Sequence, residues 1–393
     1  MLNQQNIRVL FLHRKADENG IGGMIEYLHY LPLFLKKQQV DVLLYREGDG
    51  NQLQGPTTFK NGMSTYAGPF LKPRFFSFGR KLTPLLQLCK NENIDLIHAQ
   101  GTYRSGYLAM RLYQQTGLPF LVTSHSDIVP SSGRMHRKKV QRDCQKILKA
   151  AAGVTHLSPP MATLSHQIQP TQEKSILIGN GIDLENWQAY QDLPAQNYLL
   201  SLGRLEWEKG FHILIDAYAT LCQRGCKTAL VLAGTGSAED ALQALAKEKG
   251  LAVRTNVTDC SRLPEQCVAF TGYVRGHLKK QLIAQSKIVL FPTQPALWEE
   301  PFGMVLIEAM AAGKPIIASN SETTRYIKTQ GLHVLLTEPA HPLGWADIIQ
   351  QLLNDPTQQA SLRKANLENA SRFDWHVIAK QYRMAYLQAL QRH

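Results

Sequence analysis

Several features of secreted, membrane-spanning and metal-binding proteins are missing from this sequence. It has six cysteines in 393 residues, and they show neither a paired framework nor a histidine cluster at zinc spacing, so we expect free thiols. No apolar run approaches the length of a transmembrane helix, and the N-terminus lacks the basic and apolar regions of a signal peptide. These absences predict a cytoplasmic protein, with peripheral attachment to the cytoplasmic face of the membrane left open.

Negative charge is scarce in the first half of the chain. Residues 1–185 contain 22 Lys and Arg against 13 Asp and Glu, a net charge of +9, whereas the remainder contains 21 against 18, a net charge of +3. Aromatic side chains interleave with the cations of residues 70–81, and a second basic stretch covers residues 134–149. Such a surface suits nucleic acid, an anionic membrane or an acidic glycan, although solvated cations around a core are the plainer interpretation.

Apolar runs alternate with helical stretches along the whole chain. The runs cover residues 7–12, 40–44, 94–97, 119–123, 198–202, 229–233, 268–270 and 288–291. Apolar strands separated by helices are typical of α/β proteins with parallel sheets, and this length suits two domains. We predict a doubly wound, Rossmann-like domain on either side of a cleft. The predicted segments are a first domain at 1–187, a linker at 188–197, a second domain at 198–372 and a tail helix at 373–393.

The most informative segment covers residues 299–315. Its residues 302–312 predict a helix that Gly313 ends, so Glu300 should lie in the loop before the helix and Glu308 about two turns along it. Backbone N–H groups at a helix start favour phosphate, and carboxylates accept hydrogen bonds from sugar hydroxyls. The combination predicts a nucleotide-sugar site. An amphipathic core helix with two solvated glutamates is the alternative.

Two loops that contain glycine follow predicted strands in the second half. In residues 203–210, Arg204 and Lys209 could converge on a diphosphate, although loop cations are usually solvated. In the next loop, Gly234 and Gly236 would let a ligand approach the backbone at a helix start. A tight turn explains those two glycines equally well.

Further candidates follow strands in the first half. Gly22 and Gly23 belong to a glycine loop that opens the first predicted helix, where a plain turn is the alternative. His98 and His125 each end a strand, and Asp127 follows closely after His125. A lone histidine is more often a structural hydrogen-bonding residue than a catalyst, and that alternative applies to both histidines.

Taken together, these segments resemble the retaining family 4 glycosyltransferases, which have the GT-B fold. The resemblance rests on the strings Glu300-Pro301-Phe302-Gly303, Glu308-Ala309-Met310-Ala311, Gly203-Arg204-Leu205, Lys209-Gly210 and Asn180-Gly181. Pro301 replaces the glycine that is more frequent in the family. The tail helix of such enzymes crosses back onto the first domain, and the same is expected here.

The resemblance implies a role for each candidate. Glu300 would contact the donor sugar and Glu308 the ribose, while Arg204 and Lys209 would bind the diphosphate. The implied donor-binding set is Gly22, Gly23, Arg204, Lys209, Gly234, Gly236, Glu300, Phe302, Gly303 and Glu308. The implied catalytic set is His125, Glu300, Arg204 and Lys209. Asp127 and His98 would lie on the acceptor side.

We therefore expect a retaining transfer of a sugar from a nucleotide-sugar donor, with UDP as its nucleotide, to a glycan or lipid-linked acceptor. The product would belong to cell-surface polysaccharide or glycolipid. The resemblance implies front-face transfer, in which the departing diphosphate helps to take the proton of the acceptor hydroxyl. The sequence has no Asp-x-Asp pair, and Arg204 and Lys209 would neutralise the diphosphate, so we expect neither a metal nor another cofactor.

Two rival functions remain open from the sequence. A nucleotide-sugar 2-epimerase of the same fold would convert the donor alone, whereas a transferase needs an acceptor. A nucleic-acid-binding protein would explain the basic half and would bind with steep salt dependence, but it leaves the donor-site segments unexplained. We therefore expect no nucleic-acid partner and keep an anionic membrane surface as a candidate.

Overall fold

The computed structural model describes residues 6–16, 23–48, 52–69, 78–128 and 135–392. The chain forms two compact units. The first unit comprises Met1–Gly181 together with Trp375–His393, and the second unit comprises Ile182–Asp374. Among the described helices, none is long and apolar enough to cross a membrane.

The first unit is built on an eight-stranded sheet with the order β3-β4-β2-β1-β5-β6-β7-β8. Its strands are β1 Ile7–Leu12, β2 Val40–Glu47, β3 Gln54–Thr58, β4 Ser64–Gly68, β5 Leu96–Gln100, β6 Phe120–Ser124, β7 Gly153–His156 and β8 Ser175–Leu177. Only the pairing of β3 with β4 is antiparallel among these strands. The helices in the part of this unit that ends at Gly181 are α1 Gly23–Lys36, α2 Phe78–Asn91, α3 Arg104–Thr116, α4 Lys138–Ala150 and α5 Pro159–Ile168.

Both faces of this sheet are covered, which explains why its central strands are apolar throughout. Side chains of β1 alternate between the two faces. Leu10 and Leu12 pack in a cluster with residues of α2 and α3. Val9 and Phe11 pack in a second cluster with residues of α1 and of the last helix of the chain.

The second unit has a seven-stranded sheet with the order β11-β12-β10-β9-β13-β14-β15, and every pairing in it is parallel. Its strands are β9 Tyr198–Leu202, β10 Ala229–Ala233, β11 Ala252–Arg254, β12 Cys267–Phe270, β13 Ile288–Phe291, β14 Ile316–Ser319 and β15 Leu335–Thr337. Its helices are α6 Glu185–Gln188, α7 Phe211–Gln223, α8 Glu239–Glu248, α9 Gly276–Gln285, α10 Met304–Ala311, α11 Glu322–Thr329, α12 Pro342–Leu353 and α13 Pro356–Asn369.

The strand order places a topological switch point beside β9. The chain runs outward from β9 through β10 on one side and later through β13 on the other side. In doubly wound sheets, ligands bind outside the carboxyl ends of the strands at such a point. The loops that follow β9 and β13 are therefore where a ligand of this unit is expected.

The last helix, α14 Trp375–Gln391, belongs to the first unit. Its Trp375 ring lies so close to Gly181 that a Cβ atom there would come within 2.5 Å of the ring. On the other side of the crossing, the N–H of Ile182 donates to the carbonyl of Phe373 at 2.7 Å. The chain thus enters and leaves the second unit through adjacent residues. The second unit begins earlier than the predicted linker at 188–197, because this backbone pairing ties Ile182 to it.

The structure corrects one detail of the predicted site. Helix α10 begins at Met304 and ends at Ala311, whereas the sequence predicts residues 302–312. Gly303 precedes the helix with φ of 77°. This left-handed conformation is not that of a regular helix, so the helix does not extend back to Phe302. Glu308 is therefore little more than one turn along the helix, and the expected two turns are wrong.

Candidate functional site

Two loops at the switch point of the second unit hold each other in place. Residues 203–210 follow β9, and residues 292–303 follow β13. The N–H of Gln294 donates to the carbonyl of Glu208 at 2.8 Å, and the side-chain amide of Gln294 donates to the carbonyl of Pro292 at 2.7 Å. The first bond joins the two loops, and the second holds the loop of residues 292–303 in its own shape.

Lys209 and Glu300 form an ion pair across these loops. Lys209 ends a short 3-10 turn, Trp207–Lys209, and its Nζ contacts Oε2 of Glu300, with the two side chains only 13% and 18% exposed. The carbonyl of Glu300 accepts a hydrogen bond from the Thr323 hydroxyl at 2.7 Å, and the Glu299 carboxylate accepts one from the Thr323 N–H at 3.2 Å. The structure therefore brings together a predicted diphosphate ligand and a predicted sugar ligand.

Arg204 lies in the same loop with a more open environment. Its side chain is 59% exposed and contacts Glu208 at 3.3 Å. The neighbouring Glu206 accepts hydrogen bonds from the hydroxyl and N–H of Ser237, and these bonds hold the pKa of Glu206 below its usual value. Glu206 thus ties the loop after β9 to the loop after β10, a role that the sequence motifs do not indicate.

Gly234 and Gly236 are explained by the close approach of the same two loops. A Cβ atom on Gly234, which has φ of +140°, would lie 1.8 Å from the carbonyl oxygen of Gly203. A Cβ atom on Gly236 would lie 2.3 Å from the carbonyl oxygen of Leu205. Both positions need glycine for this backbone contact, and ligand contact at either one stays a prediction.

Phe302 and Gly303 support the start of α10. The Phe302 side chain is buried and packs edge-on against Phe373, with 6.3 Å between the ring centroids. A Cβ atom on Gly303 would lie 3.0 Å from Cζ of Phe291, a distance tighter than ordinary van der Waals contact. The aromatic ring therefore serves the packing of the unit, and the two residues set where the helix begins.

Glu308 is a buried carboxylate with a cationic partner. The residue is 4% exposed, and its Oε1 accepts a hydrogen bond from Nζ of Lys279 at 2.6 Å. Lys279 lies on α9, and its side chain is likewise largely buried. Sequence reasoning missed Lys279 because it belongs to no motif. The need of a buried carboxylate for a cation is the signal that could have found it.

In the first unit, His98 lies inside the fold. It is fully buried on β5, with its ring nitrogens 2.6 Å from the Thr123 hydroxyl and 2.9 Å from the Tyr386 hydroxyl of α14. Burial, with a smaller contribution from His125, lowers the pKa of His98 to about 3. The imidazole is therefore neutral, and it connects β5 and β6 to the last helix.

His125 follows β6 and is only partly buried. Its Nε2 lies 3.0 Å from Oε1 of Gln100, and its ring packs edge-on against Tyr27. Burial and the nearby His13 lower the pKa of His125 to about 3, and burial lowers the pKa of His13 to about 4. Both imidazoles are neutral at pH 7 and can exchange hydrogen bonds with hydroxyl groups. His13, just beyond β1, was not singled out from the sequence.

The remaining candidates of the first unit are Asp127, Gly23 and Gly22. One carboxylate oxygen of Asp127 accepts a hydrogen bond from the Tyr103 N–H at 2.9 Å, which fixes the loop after β5. Gly23 is the first residue of α1. Gly22 lies outside the described residues.

Two family models match consecutive parts of this chain. The model described as Glycosyltransferase Family 4 matches residues 21–186, and the model described as Glycosyl transferases group 1 matches residues 185–369. This chain is a family 4 glycosyltransferase with the GT-B fold. The fold and the family predicted from the sequence are confirmed.

Relatives of this glycosyltransferase match it over most of their length. It is 26% identical to glycogen synthase of Mycobacterium tuberculosis over 75% of this chain and 69% of that protein. It is 22% identical to D-inositol 3-phosphate glycosyltransferase of Corynebacterium diphtheriae over 95% of this chain and 91% of that protein. Among solved structures, Anabaena Alr3699/HepE in complex with UDP matches with a TM-score of 0.76 and 21% identity, covering 97% of this chain and 100% of that one.

Proposed function

We propose that this glycosyltransferase is a retaining enzyme that transfers a sugar from a UDP-linked donor to a hydroxyl of a glycan or lipid-linked acceptor, in the synthesis of cell-surface polysaccharide or glycolipid. The observation that carries the proposal is the pair of lysine–glutamate contacts at one edge of the second unit, Lys209 with Glu300 and Lys279 with Glu308. Cations there suit a diphosphate, and carboxylates suit hydroxyl groups. The structural likeness to a protein solved with UDP supports the choice of nucleotide.

In this proposal each part of the donor has its own ligands. Lys209 and Arg204 bind the diphosphate and stabilise the negative charge that develops on it as the bond to the sugar breaks. Glu300 accepts hydrogen bonds from sugar hydroxyls, and Glu308 accepts them from the ribose. Lys209 is preorganised for this task because its contact with Glu300 already restricts its side chain.

Transfer with retention needs no protein nucleophile in this proposal. The bond from the anomeric carbon to the diphosphate oxygen breaks, the acceptor oxygen bonds to the same face of that carbon, and the acceptor proton passes to the leaving diphosphate. The neutral imidazole of His125 would exchange a hydrogen bond with the reacting sugar. Asp127 would assist on the acceptor side, where His98 supports the strands.

The acceptor side is proposed to meet an anionic surface. The exposed face of α4 carries Lys138, Lys139, Arg142, Lys146 and Lys149. Its acidic residue, Asp143, is buried. A positively charged face attracts an anionic membrane or an acidic glycan. The other predicted basic stretch, residues 70–81, lies largely outside the described residues.

A screen of nucleotide sugars followed by an acceptor assay tests the proposed function. We expect UDP-sugars to raise the melting temperature, because a ligand that binds only the folded state stabilises it. With one of them and a glycan acceptor, UDP release should depend on the acceptor, and proton NMR of the first product should show the anomeric configuration of the donor. An inverted product would contradict retention. Conversion of the donor without acceptor into a sugar epimer would contradict the transfer itself.

A further inference from the structure

The contact between Lys279 and Glu308 joins two helices inside the second unit. Lys279 lies near the start of α9, and Glu308 lies in the middle of α10. The two side chains are 12% and 5% exposed. A carboxylate this deeply buried is costly to keep ionised unless a cation and hydrogen bonds compensate it. Lys279 supplies a charge-assisted hydrogen bond to Oε1, which compensates part of this cost and restrains the orientation of the Glu308 carboxylate.

We propose that Lys279 is a positioning residue for the ribose of the donor. It holds Glu308 ionised and oriented so that the carboxylate accepts hydrogen bonds from the ribose hydroxyls. The inference rests on the proposed function, in which Glu308 contacts the ribose. A carboxylate has two oxygens with about four acceptor positions between them, so one carboxylate can accept hydrogen bonds from a lysine and from hydroxyl groups together.

The adjacent lysine has a different set of contacts, which makes it a matched control. Lys280 donates to the carbonyl of Asn186 at 3.0 Å, and its Nζ lies 5.7 Å from the Trp187 ring centroid and 5.4 Å from that of Tyr190. Removal of either lysine takes one positive charge from α9. Only the removal of Lys279 takes away the hydrogen bond at Oε1 of Glu308.

The test compares nucleotides with and without the ribose 2′-hydroxyl. Isothermal titration calorimetry measures the affinities of UDP and 2′-deoxy-UDP for the wild-type chain and for Lys279→Met, Lys279→Arg and Lys280→Met, with ADP and GDP and their 2′-deoxy forms in parallel. We expect the wild-type chain and Lys280→Met to prefer the ribonucleotide. Lys279→Met should lose that preference, with roughly a 10- to 100-fold weaker affinity for the ribonucleotide, the range for a hydrogen bond to a charged group. Lys279→Arg should restore part of it.

The outcomes separate this inference from the proposed function. If Lys279→Met lowers the melting temperature but keeps the ratio of the two affinities, Lys279 only joins the two helices and the inference is wrong. If the wild-type chain binds GDP or ADP with the Lys279-dependent preference but does not bind UDP, the proposed donor is wrong and the inference stands. If the wild-type chain binds none of the nucleoside diphosphates, both are wrong.

Discussion

At the scale of single residues, charge at the candidate donor site is balanced inside the protein. Lys209 is paired with Glu300 and Lys279 with Glu308, so each buried carboxylate has a cation of its own. A diphosphate adds negative charge. The exposed Arg204 can neutralise part of that charge, and Lys209 can contact the diphosphate while it stays paired with Glu300. We therefore expect Lys209 to matter in two ways, as a ligand and as the residue that keeps Glu300 in place.

Removal of either cation should impair both binding and transfer. Arg204→Ala and Lys209→Ala should each weaken UDP binding and slow transfer by about 100-fold, the size of effect seen when one charge-stabilising contact is lost. Steady-state kinetics and calorimetry with UDP measure the two effects. Lys209→Ala should also lower the melting temperature, because it leaves the carboxylate of Glu300 without its cation.

Arg224→Ala is the control for these two variants. Arg224 follows α7 in the same unit, and its guanidinium pairs with Asp347 at a partly exposed site. Its removal should leave UDP binding and transfer within about twofold of the wild-type values, because exposed pairs contribute little. Near-normal transfer by both Arg204→Ala and Lys209→Ala would show that the diphosphate binds elsewhere.

The same two cations are the basis for predicting metal independence. A divalent metal commonly neutralises a leaving diphosphate, and here we assign that work to Arg204 and Lys209. Transfer should therefore continue at an unchanged rate after treatment with EDTA. A loss of activity that manganese or magnesium restores would refute this assignment.

At the scale of elements, the loops after β9 and β10 are held by glycine. Gly234→Ala should strongly destabilise the second unit, because its Cβ atom would lie 1.8 Å from a carbonyl oxygen and its φ of +140° disfavours alanine. We expect a loss of more than about 2 kcal/mol in the free energy of unfolding. Gly203→Ala, on the other side of the contact, should cost much less, because its Cβ atom would meet only Phe211 at 3.7 Å. Equal stabilities in urea unfolding would contradict this account.

The basic face of α4 gives a prediction for membrane docking. The triple variant Lys138→Gln, Arg142→Gln and Lys146→Gln should reduce cosedimentation with anionic liposomes, since each cation near such a surface contributes about 1 kcal/mol. Binding of the wild-type chain should weaken as salt rises.

A triple Gln variant of the exposed Lys227, Lys328 and Lys364 in the second unit serves as the control. It removes the same charge and should bind liposomes as the wild-type chain does. Recovery of the wild-type chain that is the same with neutral and anionic lipids, at every salt concentration, would leave α4 without this role.

Elements with a strong local signal could be predicted from the sequence, and contacts between distant elements could not. The apolar run Ile7–Leu12 is a strand with the predicted bounds, because a buried parallel strand needs apolar residues on both faces. The contact of Lys279 with Glu308 joins two helices that are separated in the sequence by a strand, and no local sequence pattern predicts it. His13 escaped notice for the same reason, since its importance comes from His125, which follows another strand.

The glycines of the donor loops show a second limit. From the sequence, a turn and a ligand contact explain Gly234 equally well, because both need a residue without a side chain. The deciding fact is the distance to Gly203, a residue of another loop. Such a distance depends on how two strands align in the sheet, and composition or spacing does not reveal it.

At the scale of the whole molecule, histidines with a lowered pKa should make stability depend on pH. Burial lowers the pKa of His98, His125 and His156 to about 3 and that of His13 to about 4. An unfolded histidine takes up a proton near pH 6.5, so on acidification the unfolded state gains protons before the folded state does. The contribution of these histidines to stability should be complete above about pH 6.5. Below that pH the free energy of unfolding should fall, by at most about 1.4 kcal/mol per pH unit for each histidine.

Urea unfolding between pH 7.0 and 5.5 measures this effect, since few carboxylates titrate in that range. His156→Phe should flatten the dependence, because it removes one of the histidines whose pKa burial lowers. His156 is fully buried beside His166, and phenylalanine keeps a ring in its place. A free energy of unfolding that does not change between these two pH values would contradict the prediction.

The crossing of the chain between its two units determines the order in which they can be completed during translation. Residues 182–374 are continuous in sequence, so the second unit has all of its strands and helices once that stretch has left the ribosome. The first unit starts to emerge earlier, but part of one face of its sheet is covered by α14, which follows the second unit in the sequence. The unit that is translated first is therefore finished last, because the cluster around Phe11 and Tyr27 gains its α14 side chains only after residues 182–374 have been made.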